Sequence, residues 1–254
     1  MDLGNQWLVC DYDGNLKAAL KFSTNLKGNV MCGRYAFNAS AQDLIDSFQI
    51  VRSIDFAPRF NIAPTSSVPV IRQSPEGDRV ADLLRWGLIP HWTQDPSVGN
   101  KLNNARAETV AEKPSFQGAF KSRRCLIPAS GFYEWKTVGK VKQPFYISAK
   151  QGMLAMGGLW ESWRDPEGKI VRTFCVVTTE PNELMAEIHE RMPVIIQPEH
   201  FAQWLDPSVP GTTLNDLLRP VSASGMQAWP VSRLVSRSSS EGPELIQPIE
   251  LPSN

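Results

Sequence analysis

The sequence predicts an α+β fold: a single domain on a mostly antiparallel, barrel-like β-sheet with peripheral short helices. Three observations carry this expectation. Short β-branched or aromatic runs recur at residues 68–72, 83–86, 125–127, 132–136, 145–148, 153–160 and 174–178, most of them bounded by Gly or Pro. Helical signals are fewer, at 109–120, 181–190, 198–205 and 214–218, each with Pro or a hydroxyl residue near its start. No internal repeat and no Gly- or Pro-rich linker divides the chain, and the one biased tract is the serine-rich stretch 236–240, so strands and helices are expected to share one core.

Residues 1–30 read as an N-terminal leader, either translated from an over-long start or removable, ahead of a domain spanning 31–254. Trp7 to Cys10 and the stretch from Leu16 onward flank an Asp13-Gly14 turn signal, a small hairpin pattern. The leader starts with an acid, mixes both charge signs and lacks a long apolar run, so it is neither a secretory signal nor a membrane anchor. After Tyr35, Ser40-Ala41-Gln42-Asp43 forms a capping-box pattern before Leu44, Ile45 and Phe48, which predicts a short amphipathic helix. Residues 59–65 are expected to form a loop, because Pro64 cannot donate to a ladder and pushes Ala63 out of helical space.

The 254 residues, 42% of them hydrophobic, supply an enzyme-sized core. Lys+Arg 26 balances Asp+Glu 26, so a nucleic-acid surface would have to be a local basic patch. Cys10, Cys32, Cys125 and Cys175 are far apart with no C-x-x-C pair, which argues against a zinc site and a disulfide scaffold and fits a reducing cytoplasm. Three histidines in unrelated contexts, His91, His189 and His200, do not suggest a metal centre.

The chemistry starts at Met31-Cys32-Gly33-Arg34-Tyr35. If the chain began at Met31, removal of that methionine would leave a cysteine bearing both thiol and α-amine. An α-amine titrates near ~8 and a lysine near ~10.4, so only the former is appreciably neutral at pH 7 and can attack an aldehyde untuned. The thiol of the same residue can then close a thiazolidine ring. Otherwise Cys32 is a small buried residue at a strand start.

Asn104 and Arg106 lie in a polar loop before a helical signal, where a guanidinium can fork a phosphate while an amide orients a nucleophile; a solvated capping loop explains them as well. In Gly131-Phe132-Tyr133-Glu134-Trp135, alternation puts Glu134 on the face of Phe132. Facing inward it would be a neutral-range acid or base, and facing outward an ordinary surface residue. His189 is expected in the last turn of a helix ended by Pro193, a position more often structural than catalytic. Trp86-Gly87-Leu88-Ile89-Pro90-His91-Trp92 could stack on bases, and Arg34, Arg59, Arg106, Arg191 and the Lys121-Ser122-Arg123-Arg124 cluster could track phosphates, though cores and solvated surfaces also account for them.

Together these motifs, with Arg59-Phe60-Asn61-Ile62-Ala63-Pro64, His189-Glu190-Arg191-Met192-Pro193, Pro230-Val231-Ser232 and the closing stretch 242–248, strongly resemble the SRAP (SOS-response-associated peptidase) family, in the family's order. The resemblance implies an abasic-site sensor that binds single-stranded DNA and forms a thiazolidine crosslink, with an autoproteolytic activity. It implies the crosslink at Cys32, orientation of the amine or sugar by Asn104, proton transfer by Glu134, and sugar opening and crosslink reversal by His189. Arg34, Pro64, Trp92, Arg106 and Thr178 would line the DNA path. A second aromatic often precedes the position of Trp92 in the family; here His91 stands there. The implied protein is a cytoplasmic monomer, nucleoid-associated on DNA, with no cofactor, metal or membrane partner. As numbered, Cys32 has an amide nitrogen, which cannot form an imine; either the start is misplaced or the leader is removed. An N-terminal-nucleophile cysteine peptidase or amidohydrolase and a noncovalent single-strand binding module are the competing readings.

Overall fold

The computed structural model describes residues 32–52 and 54–251, together with the backbone of two short strands upstream, β1 (Val9–Cys10) and β2 (Leu16–Lys17). The chain divides into units Met1–Val30 and Met31–Asn254. In the first, β1 and β2 pair antiparallel as the hairpin pattern predicts, and the Asp13-Gly14 turn lies outside the described residues.

The second unit is α+β. Its strands are β3 (Tyr35–Phe37), β4 (Arg59–Ile62), β5 (Ser67–Gln73), β6 (Arg79–Trp86), β7 (Asn104–Arg106), β8 (Arg124–Ala129), β9 (Gly131–Val138), β10 (Val141–Ala149), β11 (Leu154–Arg164), β12 (Ile170–Thr179), β13 (Met192–Pro193) and β14 (Met226–Pro230). Helices α1 (Ala41–Phe48), α2 (Gln117–Ser122), α3 (Glu183–Ala186) and α4 (Phe201–Leu205) lie between them, with several 3₁₀ turns. Strands β11, β8, β5, β6 and β12 close on themselves through β11–β12 pairing, which removes their free edges; β7 and β13 extend this sheet along β12. The barrel is antiparallel except where β12 runs parallel to β6. A second sheet, in the order β14-β10-β9-β3-β4, is antiparallel throughout.

Local rules explain most of this. The Ser40 hydroxyl accepts from the Asp43 amide and Asp43 accepts from the Ser40 amide, so α1 starts where the capping box predicts, and Leu44 and Phe48 bury its inner face. Three expectations need correction. Residues 59–62 form a strand, because Pro64 lies beyond it and biases only Ala63 before it, leaving Arg59 and Ile62 to pair with Phe37 and Tyr35 of β3. The helix expected at 109–120 starts only at Gln117, since Pro114 has no amide and keeps Lys113 from helical geometry. The helix expected at 181–190 closes at Ala186, so His189 follows it rather than forming its last turn, held by its amide to the Met185 carbonyl at 2.8 Å.

The main core lies inside the barrel and under the helices, with Trp86, Trp204, Phe174 and Phe132 fully buried. A smaller core, Tyr133, Tyr146, Val231, Val235 and Leu245, lies between the outer face of the second sheet and the C-terminal segment. Gly131 permits close packing there: a Cβ would meet the Tyr146 ring at 2.4 Å and the Ile147 carbonyl oxygen at 2.6 Å. This packing sets the course of β9, which carries Glu134.

Candidate functional site

The site is assembled where β9 passes the residues before β3. The Tyr133 amide bonds to the Arg34 carbonyl, continuing the β3–β9 ladder backward and laying Cys32 alongside the outer half of β9. Cys32 adopts a left-handed conformation, φ 34°, uncommon for a side chain with a Cβ. Its backbone nitrogen donates to Glu134 Oε1 at 2.8 Å, and both residues are buried.

Glu134 therefore faces inward, which settles the question its alternation left open. Burial pushes its carboxyl up to about 8, partly offset by hydrogen bonds from the amides of Cys32 and Trp135 and by the charge of Lys142. The same burial pushes the Cys32 thiol well above its ordinary range, and Glu134 adds to the rise, so the resting group is a thiol rather than a thiolate. Any nucleophilic use of this sulfur requires a base to take its proton.

His189 stands beside this carboxyl. Its Nε2 stands 3.9 Å from Glu134 Oε2. Its Nδ1 lies 3.1 Å from the Arg191 amide, which can only donate, so the neutral ring carries its proton on Nε2, toward the carboxylate. The Arg191 carbonyl, 3.2 Å from the same nitrogen, can accept a hydrogen bond from Nδ1–H when the ring is charged. Three of the four expected reactive residues thus form one chain of contacts, Cys32 to Glu134 to His189.

Asn104, the fourth expected residue, belongs to the barrel sheet. It lies on β7, half-buried, with Ala105 turned into the core and Arg106 exposed on the same face as Asn104. β7 pairs in parallel with β12, opposite Val176 to Thr178. Arg191 ties this strand to the histidine loop: its guanidinium donates to both Glu108 carboxylate oxygens and, at 2.7 Å, to the Thr178 carbonyl. The clamp draws Glu108 below the usual carboxylate range, chiefly through the Arg191 hydrogen bond.

The residues expected along a DNA path fall into two groups. Arg106 is exposed, Trp92 is 58% exposed and Pro64 is partly exposed, all available to a ligand. Thr178 is fully buried, with its hydroxyl 3.5 Å from the Ala105 carbonyl and its backbone under Arg191. Arg34 is half-buried, donating to Asn61 Oδ1 at 2.8 Å, the Val235 carbonyl at 2.9 Å and the Ser236 carbonyl at 3.4 Å.

Other members of the motif runs prove structural. Trp86 is a core residue against Phe174 and Tyr35, leaving only His91 and Trp92 of its run exposed. Arg124 is buried and donates to the carbonyls of Trp204, Phe120, Lys121, Asp206 and Val209, a splint for α2 and α4. Arg123 pairs with buried Glu161 at 2.6 Å, and His91 Nδ1 stands 3.4 Å from the same carboxylate. Sequence reasoning missed Asn61, buried, whose amide nitrogen faces the carbonyls of Val235, Arg237 and Ser240 and so holds the C-terminal segment beside Arg34. It stood inside a quoted motif, but nothing local signals partners some 174 to 179 residues away.

The chain is similar to known proteins in both sequence and fold. The family profile for SOS response associated peptidase (SRAP) matches residues 31–238. The chain is 43% identical over 223 residues to abasic site processing protein YoqW of Bacillus subtilis, covering 85% of this chain and 99% of that one. It is 32% identical over 232 residues to abasic site processing protein YedK of Escherichia coli, covering 86% and 100% respectively. A solved protein from Bacteroides thetaiotaomicron superposes with a TM-score of 0.79 at 26% identity, covering 86% of this chain and 100% of that one.

Proposed function

Because the chain belongs to the SOS response associated peptidase (SRAP) family, we propose that it is an abasic-site sensor that binds single-stranded DNA and captures the lesion covalently through Cys32. The observation that carries the proposal is the 2.8 Å contact between the Cys32 nitrogen and a carboxyl group whose burial raises it to about 8. In a form beginning at Cys32, that nitrogen is an α-amine. Glu134 then takes the ammonium proton, and the freed amine adds to the aldehyde carbon of the ring-opened sugar. Glu134 returns the proton to the departing hydroxyl as the carbinolamine loses water. The sulfur adds to the imine carbon, its proton passing to Glu134 or His189 and on to nitrogen. Aldehyde plus aminothiol thus gives thiazolidine plus one water.

His189, with its proton on the side facing Glu134, serves the slower exchanges: opening of the closed sugar and reversal of the adduct. Asn104 orients the amine or sugar from β7, and Arg106 and Trp92 engage phosphate and base outside the site.

In the chain as numbered the nitrogen is an amide and cannot form an imine, so the active form either starts at Met31 or has its leader removed to expose Cys32. The same contact fits autoproteolysis. Water adds to the Met31 carbonyl with His189 or Glu134 as base, and Glu134 delivers a proton to the Cys32 nitrogen as it leaves. The peptidase activity in the family's description is then the step that arms the sensor.

Trapping on an oligonucleotide with one abasic site tests the reading, in parallel with intact mass. The form starting at Cys32 is expected to give a heat-stable adduct, and the form retaining the leader none. Equal crosslinking by demonstrably uncleaved protein would reject the amine mechanism. Cleavage activity with no adduct on any abasic strand would favour a peptidase without a DNA role.

A further inference from the structure

A groove of about 830 Å³ runs between the β9–β10 turn and the C-terminal segment. Its walls carry Lys140, Lys142, Arg233 and Arg237 around exposed aliphatic surface from Val141 and Leu234, and no carboxylate lines it. No ion pair within the described residues engages any of these four cations. In a chain of zero formal net charge, four cations without a facing acid are a concentrated positive potential.

The groove wall is tied to residues that flank the candidate site in the chain. Ser236 lines it, and its carbonyl accepts from Arg34 while its hydroxyl accepts from the Trp135 indole at 3.1 Å. Arg34 is two residues from Cys32 and Trp135 is next to Glu134. Lys142 is close enough to Glu134 for its charge to favour the carboxylate. Ser236 thus links the groove wall, through Arg34 and Trp135, to the chain segments that carry Cys32 and Glu134.

We propose that the groove holds the phosphate backbone of the single strand on one side of the lesion, a second contact stretch separate from Arg106 and Trp92. It rests on the reading that the site takes abasic DNA. Arg106 and Trp92 belong to the barrel sheet and its loops, whereas the groove belongs to the second sheet and the C-terminal segment. The strand is therefore gripped by both sheets, with Cys32 between the grips. An acidic, partly apolar peptide is the other ligand such a surface could take; a phosphate backbone matches four cations with no lining acid, and the proposed abasic-strand reading of the same domain favours the strand.

The test is a Lys140→Ala/Arg233→Ala double variant, with a Lys113→Ala/Lys169→Ala pair elsewhere on the surface as control. On an undamaged strand about 20 nucleotides long, the groove variant is expected to bind about tenfold more weakly at low salt, and its log–log salt slope to fall by about 1.4, ~0.7 for each lost contact. A strand cut to two or so nucleotides on each side of the lesion should bind parent and variant equally, and adduct formation at saturating long DNA should be unchanged. Parent-like affinity and slope on the long strand overturn the proposal. So does an equal loss on the short strand, or a poly-glutamate peptide that loses affinity in the variant while DNA does not. If the salt slope falls as expected but no protein form makes an adduct, the groove stands and only the covalent reading fails.

Discussion

The backbone nitrogen of Cys32 and the Oε1 of Glu134 are 102 positions apart in the chain and 2.8 Å apart in the fold. No neighbouring hydrogen bond has a comparable consequence. It places a buried carboxyl against the one nitrogen that becomes a nucleophile when the chain is shortened to Cys32, and it fixes which groups can carry protons for that nitrogen.

In the form starting at Cys32, Glu134→Gln and His189→Ala are each expected to slow single-turnover crosslinking by about 10²–10⁴-fold without weakening the initial binding of DNA. His189→Ala should also slow release of a preformed adduct. Wild-type rates of formation and reversal in both variants would leave Cys32 working unaided.

Cys32→Ser keeps the amine but replaces the ring-closing sulfur by a poorer nucleophile. It is expected to give an imine that borohydride traps and that falls apart on heating without it. A heat-stable, unreduced adduct from this variant would remove the thiazolidine from the mechanism.

Glu134 also predicts how stability varies with pH while Cys32 is in peptide linkage. Its carboxyl is raised from 4.5 to about 8 on folding. Between those values the unfolded chain has released a proton that the folded chain keeps, so this group makes the fold less stable as pH rises through the window. Glu134→Gln can still accept the Cys32 amide and escapes the penalty. It should be close to the parent near pH 4 and more stable by about 2–4 kcal/mol above pH 8. Urea unfolding across pH checks this; a parent that gains stability relative to the variant toward pH 8 has the sign reversed.

Arg106 is exposed on a strand whose neighbour, Ala105, anchors it in the core. Arg106→Ala should weaken binding of undamaged single strands and reduce the salt slope by about 0.7, one phosphate contact. An unchanged slope with a lowered melting temperature would make Arg106 part of the fold instead.

Asn61→Ala removes an amide that accepts from Arg34 and donates toward three carbonyls of the C-terminal segment. With those partners left unsatisfied, a loss of about 2–4 kcal/mol is expected, together with earlier proteolytic cleavage between residues 232 and 248. Unchanged protection of that segment would show that the small core around Tyr133 and Val235 holds it alone.

By itself, the sequence determined what depends on a few neighbouring residues. Alternation located the strands around Glu134, Cys175 and Leu84. The Ser40–Asp43 reciprocity started α1. Seven motifs in order were enough to resemble one family. Local rules failed at Arg59–Ile62, where the reach of Pro64 was overestimated, and at Thr109 to Phe116, where that of Pro114 was underestimated. Only the tertiary structure decided the roles of the polar groups. Alternation put Glu134 on the face of Phe132 but could not say that this face was interior, which depends on β3 and Cys32 closing over it. Five arginines looked alike as cations, yet Arg124 became a buried splint, Arg34 and Arg191 became clamps and Arg59 paired with Glu241, leaving Arg106 exposed. A charge is assigned by its partners, and the partners of Arg34 lie 201 residues away at Val235. Periodicity and capping act over a turn or a strand, whereas a buried guanidinium or carboxyl is governed by desolvation, which exists only once distant segments have packed around it.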